Sequence, residues 1–151
     1  NLMWASSIAM NGILGVGHEQ NWITHMLEHA VSAVFDVSHG AGLACLTPYY
    51  LEYLKPMDTA GKIERLGREL FGTQDGDKTI AEFQDFFRSI GMPTKLGELI
   101  KDSGNAGAEY RSKEEIIDIL AKKSLPWGTM AAGGYDGFGI EDAKGIFLRA
   151  W

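Results

Sequence analysis

Asn21-Trp22-Ile23-Thr24-His25-Met26-Leu27-Glu28-His29-Ala30-Val31-Ser32-Ala33-Val34-Phe35-Asp36 carries its apolar residues at helical spacing. Ile23, Leu27, Ala30, Val31 and Val34 share one side, while Trp22, His25, Met26, His29 and Ala33 share the other. The spacing predicts a helix over about 20–36 that is apolar on nearly all sides. Such a helix belongs at the centre of a domain, and every polar group on it needs a partner.

The same period of 3.6 continues outward in both directions, and clean strand-type alternation is hard to find. The fold is therefore expected to be all-α, with residues 1–151 in one multi-helix domain. Upstream, Leu2, Met3, Trp4, Ile8, Met10, Ile13 and Leu14 form a first helical stripe behind a possible N-cap at Asn1, broken by Gly15-Val16-Gly17. Because the stripe starts at once, without an initiator Met, the chain is expected to continue from an upstream segment. Downstream, Asp36-Val37-Ser38 leads to a helix over 39–54 that contains Pro48, a residue expected to kink it. A fourth helix with Ile63, Leu66, Leu70 and Phe71 closes at Gly72, and 73–78 reads as a loop. A fifth carries a core stripe of Ile80, Phe83, Phe86, Phe87 and Ile90 and stops at Gly91. Thr94 is expected to cap a short helix through Leu96, Leu99 and Ile100, and Ser112 with Glu115 forms a capping box for the next. The glycine-rich stretch 128–139 reads as a sharply bent loop before a last helix with Ile140, Ala143, Phe147 and Ala150.

Fourteen Lys and Arg against twenty Asp and Glu leave a net charge of −6, with no basic cluster beyond Lys122-Lys123, which argues against nucleic acid as a partner. Cys45 is the sole cysteine, so neither an internal disulfide nor a thiolate metal cage is available, and a reducing, cytoplasmic setting fits. No apolar run approaches the roughly 20 residues that span a bilayer, and no export signal opens the chain. Nucleotide motifs fail as well. Gly15-Val16-Gly17-His18 lacks the third glycine of a dinucleotide loop, Gly137-Phe138-Gly139 fails likewise, and Gly61-Lys62 has no first glycine upstream. Asp75-Gly76-Asp77 has Ile80 where a calcium loop needs glycine, and no Gly-x-Ser-x-Gly elbow occurs.

All four histidines fall within the first 39 residues. His25 and His29 lie one helical turn apart on one face, and His39 follows a short turn that can bring it back towards them. Neutral imidazoles are common transition-metal ligands; the competing reading is three histidines packed as core residues. His18, in a glycine-rich turn, reads as surface. His25-Met26-Leu27-Glu28-His29 matches the His-x-x-Glu-His signature of inverted zinc proteases, which makes a zinc hydrolase with Glu28 activating water one alternative. A non-enzymatic helical interaction module, docking through its first helix, is another.

A longer match accounts for more residues. Asn21 to Ala33, then Asp36-Val37-Ser38-His39-Gly40-Ala41-Gly42-Leu43-Ala44 and Pro48, resemble the iron-containing (group III, metal-dependent) alcohol dehydrogenase family, in particular its butanol dehydrogenase branch. Asn1-Leu2-Met3-Trp4-Ala5 and the closing helix after Gly139 share the likeness. The resemblance implies the all-helical C-terminal domain of the dehydroquinate synthase-like fold. It implies that His25 and His39, fourteen residues apart, are metal ligands, and that His29 lies beside nicotinamide and substrate as a catalytic residue. Trp22 and Met26 would either shape a substrate pocket or pack as core. The cofactors implied are a divalent metal, Fe2+ or Zn2+, and NAD(H) or NADP(H); the substrate is an alcohol or aldehyde; a homo-oligomer is expected. Members of the family also carry an N-terminal α/β nucleotide-binding domain and two further ligands in an Asp-x-x-x-His arrangement. This chain contains neither, so it is expected to be a fragment, inactive and weak in metal binding by itself.

Overall fold

The computed structural model describes residues 1–17, 20–104, 111–125, 129–132 and 135–151. Among them are eight α-helices and one small hairpin: α1 (Leu2–Met10), α2 (Ile23–Phe35), α3 (His39–Leu54), α4 (Lys62–Phe71), α5 (Gly76–Ser89), α6 (Leu96–Asp102), α7 (Lys113–Ser124), β1 (Thr129–Ala132), β2 (Tyr135–Gly139) and α8 (Ile140–Ala150). The helical fold class is as expected. His18 lies outside the described residues.

The core is built where α2, α3, α6, α7 and α8 meet. Leu27, Val31 and Phe35 of α2 belong to one buried cluster with Leu46, Leu96, Leu120, Ile146 and Phe147, all almost fully removed from water. Burying each such side chain contributes about 1.5–3 kcal/mol. α2 starts three residues later than the periodicity suggests, because the Asn21 carboxamide oxygen takes the Ile23 N–H at 3.1 Å and so satisfies a free helix donor there. The Asn21 amide also donates to the Tyr50 hydroxyl at 2.6 Å, fastening the start of α2 to α3.

At its other end α2 stops at Asp36, which adopts a left-handed conformation with φ of 52° and donates its N–H to the Ser32 carbonyl at 2.9 Å. Val37 is buried, and α3 begins at His39, as read from the sequence. Pro48 lies inside α3 and is buried.

Several expectations change. α2 is not buried all round: Ile23, Leu27, Glu28, Ala30, Val31 and Phe35 face inward, while His29 and Ala33 are exposed. α1 forms as predicted, yet none of its residues is buried, with Leu2 88% and Met3 85% exposed. Its stripe has no described surface to cover it. The α5 stripe is only partly core. Ile80 is buried, but Phe86 and Ile90 stand open, because α4 and α3 cover one side of α5 only. The 73–78 loop is shorter than expected, since Asp75 caps α5 by accepting the Lys78 N–H at 3.0 Å.

Thr94 does not cap α6. Lys95 takes the cap position, and the Thr94 carbonyl instead accepts the Tyr49 hydroxyl at 2.9 Å. The capping box of α7 is present, with Glu115 N–H to Ser112 Oγ at 3.2 Å and Ser112 N–H to Glu115 Oε2 at 2.8 Å. Within 128–139 the described residues form an antiparallel hairpin in place of the expected loop, pairing Thr129 with Gly139, Met130 with Phe138 and Ala132 with Tyr135. Phe138 is buried against Tyr53 and Tyr50, with ring centroids 5.4 and 6.5 Å away. No described helix is long and apolar enough to cross a membrane.

Candidate metal centre

The elbow between α2 and α3 returns the chain so that His39, at the first position of α3, stands over the outer face of α2. His25 and His29 project from that face one turn apart. Their ring centroids lie 6.0 Å from each other, and His39 sits 5.2 Å from both. All three histidines singled out by the sequence therefore converge. Trp22 closes one side, its ring edge-on to His25 at 4.9 Å, while Met26 is half-buried. An open groove of about 330 Å³ runs beside His25, lined by Leu14, Gln20, Asn21 and Trp22 among others.

Beneath the imidazoles lies Glu28, 0% exposed although it is an acid. Both carboxyl oxygens have partners: Oε1 meets Ser32 Oγ, and Oε2 meets His39 Nδ1. Those contacts are what make its burial tolerable. Ser32 Oγ is also 3.1 Å from the Val37 carbonyl, tying the carboxyl group to the elbow. Gly42, one turn into α3, supplies the space. A Cβ there would stand 2.6 Å from Glu28 Cγ and Oε1. In this setting Glu28 does not face open solvent, so the His-x-x-Glu-His pattern lacks the water-activating base that a hydrolase requires. The sequence did place an acid among the histidines. Only the combination of Ser32 four residues on and Gly42 across the elbow signals that it points inward.

Burial holds His25 below the usual imidazole range, with the neighbouring His39 and His29 adding to the effect and Glu28 opposing it. A neutral ring with a free lone pair follows at neutral pH, the form that binds metal. His29 is exposed and the His39 side chain is 47% exposed, so both can be approached from outside. One ligand atom from each of Glu28, His29 and His39 lies within 4.8 Å of the others, a tighter set that His25, close by ring centroid, does not join. Clustered imidazoles, one of them backed by a buried carboxyl group, form a donor set that suits a divalent transition metal. Cys45 adds nothing to it: the thiol is buried and its pKa is pushed up to about 12 by desolvation.

NADH-dependent butanol dehydrogenase A of Clostridium acetobutylicum is 40% identical over 158 aligned positions, covering 100% of this chain and 38% of that protein. The NADPH-dependent aldehyde reductase of Escherichia coli is 32% identical over 76% of this chain and 31% of its own length. Among solved structures, NADH-dependent butanol dehydrogenase A from Thermotoga maritima superposes with a TM-score of 0.76 at 29% identity, covering 97% of this chain and 37% of that one. The chain thus spans less than two-fifths of the length of these relatives. The family described as Fe-containing alcohol dehydrogenase, C-terminal, matches residues 1–126, and the chain belongs to that family.

Proposed function

We propose that this chain is the helical metal-binding part of an NAD(P)-linked alcohol dehydrogenase or aldehyde reductase. The observation that carries the proposal is the convergence of His25, His29 and His39 on one open face of α2 and α3. The names of the relatives, butanol dehydrogenases and an aldehyde reductase, support the substrate class.

In this reading His25 and His39 hold the metal, and His29 contacts nicotinamide and substrate. The bound metal, Fe2+ or Zn2+, supplies Lewis-acid polarisation of the alcohol or aldehyde oxygen. His25 contributes a ring kept neutral by its partial burial, and His39 a ring held from behind by Glu28. Trp22, edge-on to His25, limits how that ring can turn and borders the groove through which a small alcohol would enter. His29, exposed one turn further, presents its imidazole to whatever docks on the open face. The nicotinamide dinucleotide and the remaining ligands come from an N-terminal α/β domain outside these 151 residues, in a homo-oligomeric cytoplasmic enzyme. Alone, the chain is inactive and holds metal weakly.

Metal content and NAD(P)H-dependent aldehyde reduction, measured together on the intact protein, test this. His25→Ala and His39→Ala are expected to lose metal and activity, whereas His29→Ala keeps metal and loses turnover. Full metal content in His39→Ala would refute the assignment.

A further inference from the structure

We infer that Glu28 is a positioning residue for the metal centre: it accepts the Nδ1–H of His39, fixing the ring's tautomer and leaving Nε2 as the nitrogen that binds metal. This rests on the reading of His39 as a ligand, and it assigns work to residues outside the ligand set. Three observations carry it. Glu28 is fully buried on the inner side of a ring that is itself half open, so the pair is oriented from core to surface. The contact is made to Nδ1, which commits that nitrogen to the core and frees the other one. The second carboxyl oxygen is occupied by Ser32, whose hydroxyl also lies against the Val37 carbonyl two residues before His39.

Glu28, Ser32 and the elbow backbone thus form a socket, and Gly42 is the residue that lets α3 lie close enough to seat it. A methyl group at position 42 would stand 2.6 Å from both Cγ and Oε1 of Glu28. Glu28 is fully buried with its two oxygens turned to Ser32 and His39, so its reach to the open face runs through the His39 ring, while one of its oxygens also lies within 4.8 Å of a His29 nitrogen. A ring without such a backing carboxyl group would divide between two tautomers, only one of which presents Nε2.

The test compares Glu28→Gln, which keeps an acceptor oxygen, with Glu28→Leu, which keeps the volume without one, in the intact protein. Two readouts are taken. The tautomer of His39 is read in metal-free protein from imidazole 15N shifts after selective histidine labelling, with the signal assigned by its loss in His39→Ala. Zn2+ affinity is read by competition with a chelator. Glu28→Leu is expected to mix the His39 tautomers and weaken Zn2+ binding by about 10–100-fold, and Glu28→Gln to preserve both within a few-fold. An unchanged tautomer and affinity in Glu28→Leu would overturn the inference. So would a loss in Glu28→Gln as large as in Glu28→Leu, which would mark Glu28 as a direct ligand. Wild-type Zn2+ binding by His39→Ala would instead defeat the metal-centre assignment, while the tautomer of metal-free His39 still reports on Glu28.

Discussion

α1 and α2 are both rich in apolar residues, and both form helices, yet none of the residues of α1 is buried while α2 runs through the core. Apolar spacing therefore predicts that a helix will form more reliably than what will cover it. α2 gains its place by packing on α3, the next helix, and on α7, far along the chain. It also carries a polar socket on its inner face, which α1 has no counterpart for.

Substitution should expose this contrast most strongly at paired sites. Leu27→Ala, in the core of α2, is expected to lower unfolding free energy by about 2–5 kcal/mol. Met3→Ala, 85% exposed on α1, should stay within about 0.5 kcal/mol. Urea titration of the two variants decides the matter, and equal losses would mean that α1 is packed in solution. The polar side of α2 is probed by Gly42→Ala, expected to cost about 1–3 kcal/mol because the new methyl group collides with Glu28. Parallel thermal melts with Gly40→Ala, where a Cβ meets nothing within 4 Å, supply the control.

A smaller difference is expected between helix starts. Ser112→Ala removes a side-chain cap and should cost about 1 kcal/mol, whereas Asn1→Ala, whose side chain caps nothing, should be silent. The smallest effect concerns acid. The folded-state pKa of His25 lies below its ordinary value near 6.5, so the unfolded chain binds the proton more readily. Its contribution is fully present above that value and declines as pH falls through it towards the lower folded-state pKa. Denaturant midpoints measured from pH 7.5 to 5 should fall modestly, and the slope should flatten in His25→Gln.

How much of this was legible in the sequence depended on how local the cause was. The bounds of α3, the glycine stop at Gly72 and the Ser112–Glu115 box matched because each is decided by neighbours within a turn. The hairpin within 128–139 is hidden in the sequence because its glycines mask a short strand signal, and Phe138 is fixed by Tyr50 and Tyr53, well over eighty residues upstream. Thr94 has the residue type of a cap, but its carbonyl is committed to Tyr49. In the site, the convergence of His25, His29 and His39 followed from helical spacing plus one elbow. The inward turn of Glu28 did not, since it requires Ser32 and Gly42 to be placed at once.

The elbow between α2 and α3 consists of residues 36–38 alone. Surface connections usually tolerate changes of length, but this one sets the phase of α3 against α2. One residue added there would rotate α3 by about 100° relative to its present facing. Either His39 would keep its position and Leu46 would swing out of the core, or Leu46 would stay and His39 would turn away from His25 and His29. The distance in sequence between the first and last histidine of the cluster is therefore a fixed gauge, and length variation in this protein has to be taken up elsewhere.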